Sequence, residues 1–368
     1  MVLKIVPRSV VRMIRKRMNR DFVFFGHSEK NIGEYIINES GVDKYYTEPA
    51  LGNQVVTGFE ACFKEYLQQP LFLRQYLLNV RDCIIEPEYG WAITQPDDKL
   101  VFDSISNNGW IESYHPSYKL YKSNRREATK LEEVVSINLL KGGDANYWHF
   151  IHDLLGQVTI ALEHTKPGIP FLISKELSQQ KYFREAMTLS PVLSEINWII
   201  RDKYFAIKKA WFVQAMPNRI HQFLMVRQLL QVKDSNREIN RRIFLIRSEK
   251  RIRYISNKDQ IENIAKKHGF EIIDADNYSF TEQIKLFSET RWLIGIHGAG
   301  LTNVIFRQNA PMSVLELFPA DYLQPHYFLL SKGVGHTYNC MVGTKSYIDT
   351  SFSLDEVLFE KKIKELLY

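Results

Sequence analysis

The residues most able to do chemistry fall in three short runs. In Asn146-Tyr-Trp-His-Phe-Ile-His-Asp153, positions 146, 149 and 153 are spaced by three and four. On a helix these share one face, while Phe150, Ile151, Leu154, Leu155 and Val158 fill the other. A His and an Asp one turn apart can take a proton from a hydroxyl, with Asp153 as base and His149 orienting it; a capped polar helix start is the plainer alternative. In Arg247-Ser-Glu-Lys-Arg-Ile-Arg253 the arginines follow an apolar strand pattern and can grip a pyrophosphate with paired donors. Lys250 and Arg251 read as solvent-facing, which leaves Arg247 and Arg253. In Arg291-Trp-Leu-Ile-Gly-Ile-His-Gly-Ala-Gly-Leu-Thr-Asn303 an apolar strand runs into glycines and then a helix start near Gly300 or Leu301. The unpaired N–H groups of Gly298, Ala299, Gly300 and Leu301, with His297 and Asn303 beside them, form a ready phosphate site. The same pattern also suits an ordinary strand-to-helix turn. Its glycine spacing is neither the dinucleotide fingerprint nor the phosphate loop ending in Gly-Lys-Ser/Thr.

Two acidic features complete the inventory. Glu316 sits inside the apolar run Val314-Leu-Glu-Leu-Phe318, where a carboxylate is costly unless paired. It can accept ribose hydroxyls or serve a structural partner such as an arginine. Asp274-Ala-Asp276 could hold a divalent ion, but two acids after a strand are more often turn residues, and the cationic groups already present make a metal unnecessary.

These runs need a scaffold, and the chain supplies a regular rhythm from about residue 134. Strands are expected at Val134–Leu140, Pro170–Ser174, Asn197–Arg201 and Ala210–Val213, with helices at Asn146–His164, Gln179–Leu189 and Arg219–Val232. The polar stretch Lys233–Asn240 reads as a linker. The alternation then restarts with strands at Arg242–Ile246, Phe270–Ile273, Trp292–Ile296, Ser313–Leu317 and Thr337–Cys340. Helices fall at Asp259–His268, Ser279–Glu289, from Leu301, at Leu323–Lys332 and at Leu354–Leu367. Ser279 with Glu282 makes a capping box. Strands alternating with helices mean α/β architecture with parallel sheets. The expected domains are 21–235 and 236–345, both Rossmann-like and facing a cleft, with a helix in 346–368 that can cross back to the first. Residues 21–130 carry only turn punctuation, short strands and one helix near Glu60–Leu78.

At 368 residues the chain exceeds one ordinary core. Its net charge of +6 is concentrated: seven bases and no acid lie in residues 1–20, leaving 41 bases against 42 acids. A neutral body argues against a nucleic-acid binder. Residues 1–20 can be drawn as a basic amphipathic leader lying on an anionic membrane, or as a helix packed on the body. They lack the apolar centre of a secretory signal, and no run of 18 apolar residues occurs. Cys62, Cys83 and Cys340 show no metal spacing and fit a cytoplasmic setting.

In order and approximate spacing, the run 146–153, Arg247-Ser, Arg253, Asn257, Glu282-Gln283, the turn 295–303 and Glu316 resemble glycosyltransferase family 61. That family includes plant xylosyltransferases, eukaryotic N-acetylglucosaminyltransferases and bacterial enzymes of surface polysaccharide assembly. The resemblance spans about residues 134–340. It implies a GT-B fold, a UDP-sugar donor, inversion at the anomeric carbon, no cofactor and no required metal. It further implies that Arg247, Arg253 and the turn from His297 to Asn303 fall where the family holds the donor's nucleotide and diphosphate, and Asp153 where it has an acid; Asn257 and Glu316, also among the matching positions, are expected to join the donor contacts. The acceptor is then an oligosaccharide or lipid-linked glycan of a capsule or O-antigen, and the site cytoplasmic, on the inner face of the plasma membrane. Many members follow the acid with Leu-Pro-Arg; this chain has Leu155-Gly156-Gln157. The rival expectations are a UDP-sugar epimerase and a non-catalytic component of an assembly complex.

Overall fold

The computed structural model describes residues 24–25, 32–38, 75–96, 98–101, 104, 116–138, 143–213, 220–233, 239–308 and 310–367. The basic leader, most of the helix expected at Glu60–Leu78 and the middle of the linker lie outside them. Two compact units emerge: one is built chiefly of Leu73–Arg184 and Pro191–Pro217, the other of Glu185–Ser190 and Asn218–Tyr368.

The first unit is organised on one sheet. Its strands are β1 (Phe24–Phe25), β2 (Ile32–Asn38), β3 (Gln75–Ile85), β4 (Ala92–Thr94), β5 (Leu100–Val101), β6 (Thr129–Ser136), β7 (Phe171–Ile173), β8 (Trp198–Ile200) and β9 (Phe205–Val213). The order is β1-β5-β4-β3-β9-β6-β7-β8, with β2 also on β3. Only part of it is the parallel sheet expected: β9, β6, β7 and β8 are parallel, whereas β3 is antiparallel to β2, β4 and β9. The tight return after β3 accounts for its pairing with β4, since so short a connection can join only antiparallel strands. Glu86 holds it by accepting the N–H groups of Glu88, Tyr89 and Trp91. Gly90 is left-handed at φ +79°, and a Cβ there would lie 2.5 Å from the Arg201 guanidinium. Residues 75–78 belong to β3, so the helix expected up to Leu78 is corrected at that end. Leu77, Leu78, Val80, Ile84 and Ile85 are all buried, and a dense apolar run of this kind carries no readable period.

The second unit matches the expected alternation closely. Strands β10 (Arg241–Leu245), β11 (Glu271–Ile273), β12 (Thr290–Ile296), β13 (Ser313–Phe318) and β14 (Thr337–Val342) form a wholly parallel sheet in the order β11-β10-β12-β13-β14. The helix expected at Ser279–Glu289 is Phe280–Ser288, and its capping box is present. The helix expected from Leu301 is a 3-10 helix, Ala299–Phe306. The last helix, Glu356–Leu367, for which the sequence allowed a crossing to the first domain, buries Phe359, Ile363 and Leu366 in this unit's core against Phe244, Ile261 and Ala265. Each such side chain contributes about 1.5–3 kcal/mol of burial. Among the described residues no helix is long and apolar enough to cross a membrane.

The strand order decides where a ligand can sit. From β10 the chain crosses outward to β11, then back over β10 to β12. The connections therefore diverge between β10 and β12, opening a crevice at the carboxyl ends of these two strands. Arg247 follows β10 and His297 follows β12, so both runs arrive there.

Candidate active site

At that crevice two arginines and a histidine converge on the glycine turn. Arg247 donates Nε to the carbonyl of Ile252 (3.0 Å) and Nη1 to that of His297 (3.3 Å). Its guanidinium lies where a side chain of residue 298 would be, since a Cβ on Gly298 would come within 1.5 Å of Nη1. Gly295 and Gly300 are filled in the same way, by Leu301 and Leu245. The glycines are thus explained by the protein's own close packing; Gly298 has an extended φ of 166°. Burial first, then the charge of Arg253, lowers Arg247 to about 10.

Arg253 is strained and under-satisfied. Its φ of +63° lies in the left-handed region, which is uncommon for a side chain other than glycine. Its N–H donates to Thr350, itself at φ +69°. Its guanidinium rests 4.4 Å over the Tyr322 ring, and its buried Nε has no acceptor. Among the described residues neither Arg247 nor Arg253 forms an ion pair with a carboxylate. The N–H groups of Gly298, Ala299 and Gly300 likewise have no protein acceptor there, as expected at a helix start.

His297 is only 4% exposed, within a cage of Phe318, Tyr322 and Tyr327. Its Nδ1 lies 2.5 Å from Oε1 of the fully buried Glu316, whose Oε2 accepts the Tyr338 hydroxyl at 2.5 Å. Burial pushes the Glu316 carboxyl well up, with Tyr338 and Arg253 opposing. Burial and then the charges of Arg253 and Arg247 pull His297 down to about 3. Both directions favour a protonated carboxyl donating to a neutral imidazole, which leaves the ring proton on Nε2.

Three residues expected to contact the donor have partners within the protein. Glu316 has both oxygens bonded, to His297 and Tyr338, inside the sheet, which is the structural-partner alternative with a histidine in place of an arginine. Asn257 clamps the backbone of Leu354, donating to its carbonyl (3.0 Å) and accepting its N–H (3.1 Å). Asn303 is buried and donates to Gln283 (3.0 Å) and Gly300 (3.0 Å), tying the 3-10 helix to its neighbour. Leu301 is buried core. The acids 274 and 276 do not act as a pair: Asp276 binds Arg251 at 2.8 Å, and Asp274 caps the N–H of Asp276. Beside Arg247 opens a cavity of ≈ 420 Å³ with an apolar floor of Phe244, Ile246, Ile255, Ile261 and Ile296.

The first unit carries the other candidate. The helical run is Tyr147–His149, then a π-helical turn Phe150–Leu154, then Leu155–His164. Asn146 caps it by accepting the N–H of Trp148 at 2.9 Å. The π turn brings two histidines onto one carboxylate: His149 Nδ1 lies 2.5 Å and His152 Nδ1 2.6 Å from the oxygens of Asp153. The His152 ring also stacks on Trp148 at 4.5 Å. Burial would raise Asp153, but the hydrogen bonds of His149 and then His152 outweigh it and hold the carboxyl well below its usual range. Burial would lower His149, but the bond to Asp153 and the charges of Asp153 and Asp144 prevail and raise it. A carboxylate so stabilised is a poor proton acceptor, so the roles expected from sequence exchange: His149 is the candidate base through Nε2, and Asp153 orients it.

His152 and Asp144 were the residues sequence reasoning passed over. Their signal was present, His152 within the motif and Asp144 just before the cap, but helical spacing places His152 off the face of His149. Gln157, standing where many members of the resembled family have arginine, is buried and donates to Asn138 at 3.2 Å.

The second unit thus presents, among the described residues, two arginines without carboxylate partners at the crossover point of a parallel sheet, and the first unit separately presents an Asp–His pair. Residues 147–314 match the family described as Glycosyltransferase 61, so the chain carries a glycosyltransferase domain of that family. No curated protein matches it significantly.

Proposed function

We propose that the chain is an inverting, metal-independent glycosyltransferase of GT-B type that moves a hexosyl or pentosyl group from a UDP-sugar to a glycan acceptor of a surface polysaccharide. The observation that carries this is the pair Arg247 and Arg253, two guanidinium groups without carboxylate partners among the described residues, beside amides that have no acceptor there, at the crevice of a parallel sheet. The acceptor hydroxyl gives its proton to His149 Nε2, and the resulting imidazolium is stabilised by Asp153. The acceptor oxygen bonds to the anomeric carbon from the face opposite the diphosphate. The bond from that carbon to the β-phosphate oxygen breaks, and UDP departs with the electron pair. Arg247, Arg253, the amides of 298–300 and His297 Nε2–H stabilise the charge that grows on it. The basic residues 1–20 would hold the enzyme on an anionic cytoplasmic leaflet, near a lipid-linked acceptor.

The test is turnover with a panel of UDP-sugars. Arg247→Ala should lower it about a hundredfold or more, the usual cost of one preorganised donor. A variant as active as the parent would overturn the donor assignment. Conversion of the UDP-sugar to its epimer without acceptor would instead favour an isomerase.

A further inference from the structure

The diphosphate contacts of the proposed donor site leave the cavity beside Arg247 unfilled, and a role for that cavity rests on the donor reading. Its apolar floor lies under the loop after β10, and its rim carries Ser248, Glu249, Lys250, Lys258, Glu262 and Asp274. A flat, weakly polar group fits such a floor, and a polyhydroxylated group fits such a rim. Arg247 lines this cavity and also crosses Gly298, so an occupant whose diphosphate reaches the amide turn would place its nucleoside here.

Of the rim carboxylates, one is chemically available. Glu249 is paired with Lys258, and Glu262 with Lys266 at 3.4 Å. Asp274 follows β11, the strand beside β10 on the far side of the crevice, and uses only Oδ1, which accepts the N–H of Asp276 at 3.1 Å. Among the described residues Oδ2 has no hydrogen-bond or ion-pair partner. The backbone cap fixes the carboxylate plane, so the second oxygen is held at the rim at no further entropic cost.

We infer that this cavity is the nucleoside pocket and that Asp274 Oδ2 accepts a ribose hydroxyl, making Asp274 the residue that selects ribonucleotide donors. A hydroxyl on a fixed carboxylate is a charge-assisted bond, and its loss leaves a partly buried anion unpaired. The group expected from sequence to do this, Glu316, is enclosed in the sheet, so the role passes to an acid that read as a turn residue.

Calorimetric titration of the full chain with UDP, 2′-deoxy-UDP and 3′-deoxy-UDP tests this. The parent should bind one deoxy analogue about tenfold to a hundredfold more weakly than UDP. Asp274→Asn keeps a capping oxygen but removes the charge. It should bind UDP about as weakly as the parent binds that analogue, with the discrimination gone and the melting temperature close to the parent's. Equal binding of all three ligands by the parent, or discrimination retained in Asp274→Asn, would overturn the assignment of Asp274 and leave the donor site standing. A parent chain that binds no UDP would overturn the donor reading and this inference together.

Discussion

At the scale of single residues, proton affinity separates the two halves of the chemistry. His149 is raised by Asp153 and must be neutral to accept a proton, so turnover should rise with pH through its elevated pKa. Replacing Asp153 by Asn removes the carboxylate, drops the pKa of His149 and should move that rise to lower pH while reducing the plateau. A pH–rate profile of the two proteins checks the direction; an unmoved profile would take the role from His149. Stability responds to the His149 titration in the opposite sense. The interaction favours folding below the unfolded pKa of His149 and above that of Asp153, and fades on crossing either folded value. His297 behaves oppositely: lowered to about 3, it stays neutral through the working range, as the donor role proposed for it requires.

Elements set the precision of these groups. The π turn at Phe150–Leu154 offsets the helix so that His149 and His152 share one carboxylate, a local irregularity of the sort often found at functional positions. The glycine turn shows how narrow the tolerance is. Gly298→Ala would drive a methyl into the Arg247 guanidinium and should weaken UDP binding much as Arg247→Ala does, which titration would show. Gly295→Ala would instead meet Leu301 at 2.4 Å within the core. Its expected signature is a stability loss of about 1–3 kcal/mol in denaturant melts, the range for overpacking. Tyr338→Phe tests the support behind His297: leaving Glu316 short of a donor should cost about 1–3 kcal/mol and reduce turnover, with UDP binding less affected.

For the whole molecule, the proposed donor contacts all belong to the second unit. UDP at about a hundred times its Kd should stabilise that unit by about 2.7 kcal/mol. Hydrogen exchange should slow at the amides of Gly298, Ala299 and Gly300, which gain acceptors only from the ligand; no change there would remove the amide turn from the site. If Arg247 and Arg253 supply the positive charge as proposed, EDTA should leave turnover unchanged, and a loss restored by a divalent ion would refute metal independence. The leader's proposed role predicts salt-sensitive sedimentation with anionic vesicles that disappears on deleting residues 1–20.

Much of the second unit was readable because its strands alternate with amphipathic helices and its turns carry local signals such as Ser279 with Glu282. The three motif runs were readable because chemistry needs particular side chains in particular orders. The first sheet was less so: pairing partners such as β3 and β9 are far apart in sequence, and a strand buried on both faces has lost the alternation that marks it. Roles were the least legible. Sequence alone placed Glu316, Asn257 and Asn303 among ligand contacts and Asp153 as base, because it shows which groups are present and not what satisfies them. Tertiary structure adds those partners: an oxygen already paired in the interior is held by its hydrogen bonds, and a donor left unpaired at a crevice is available.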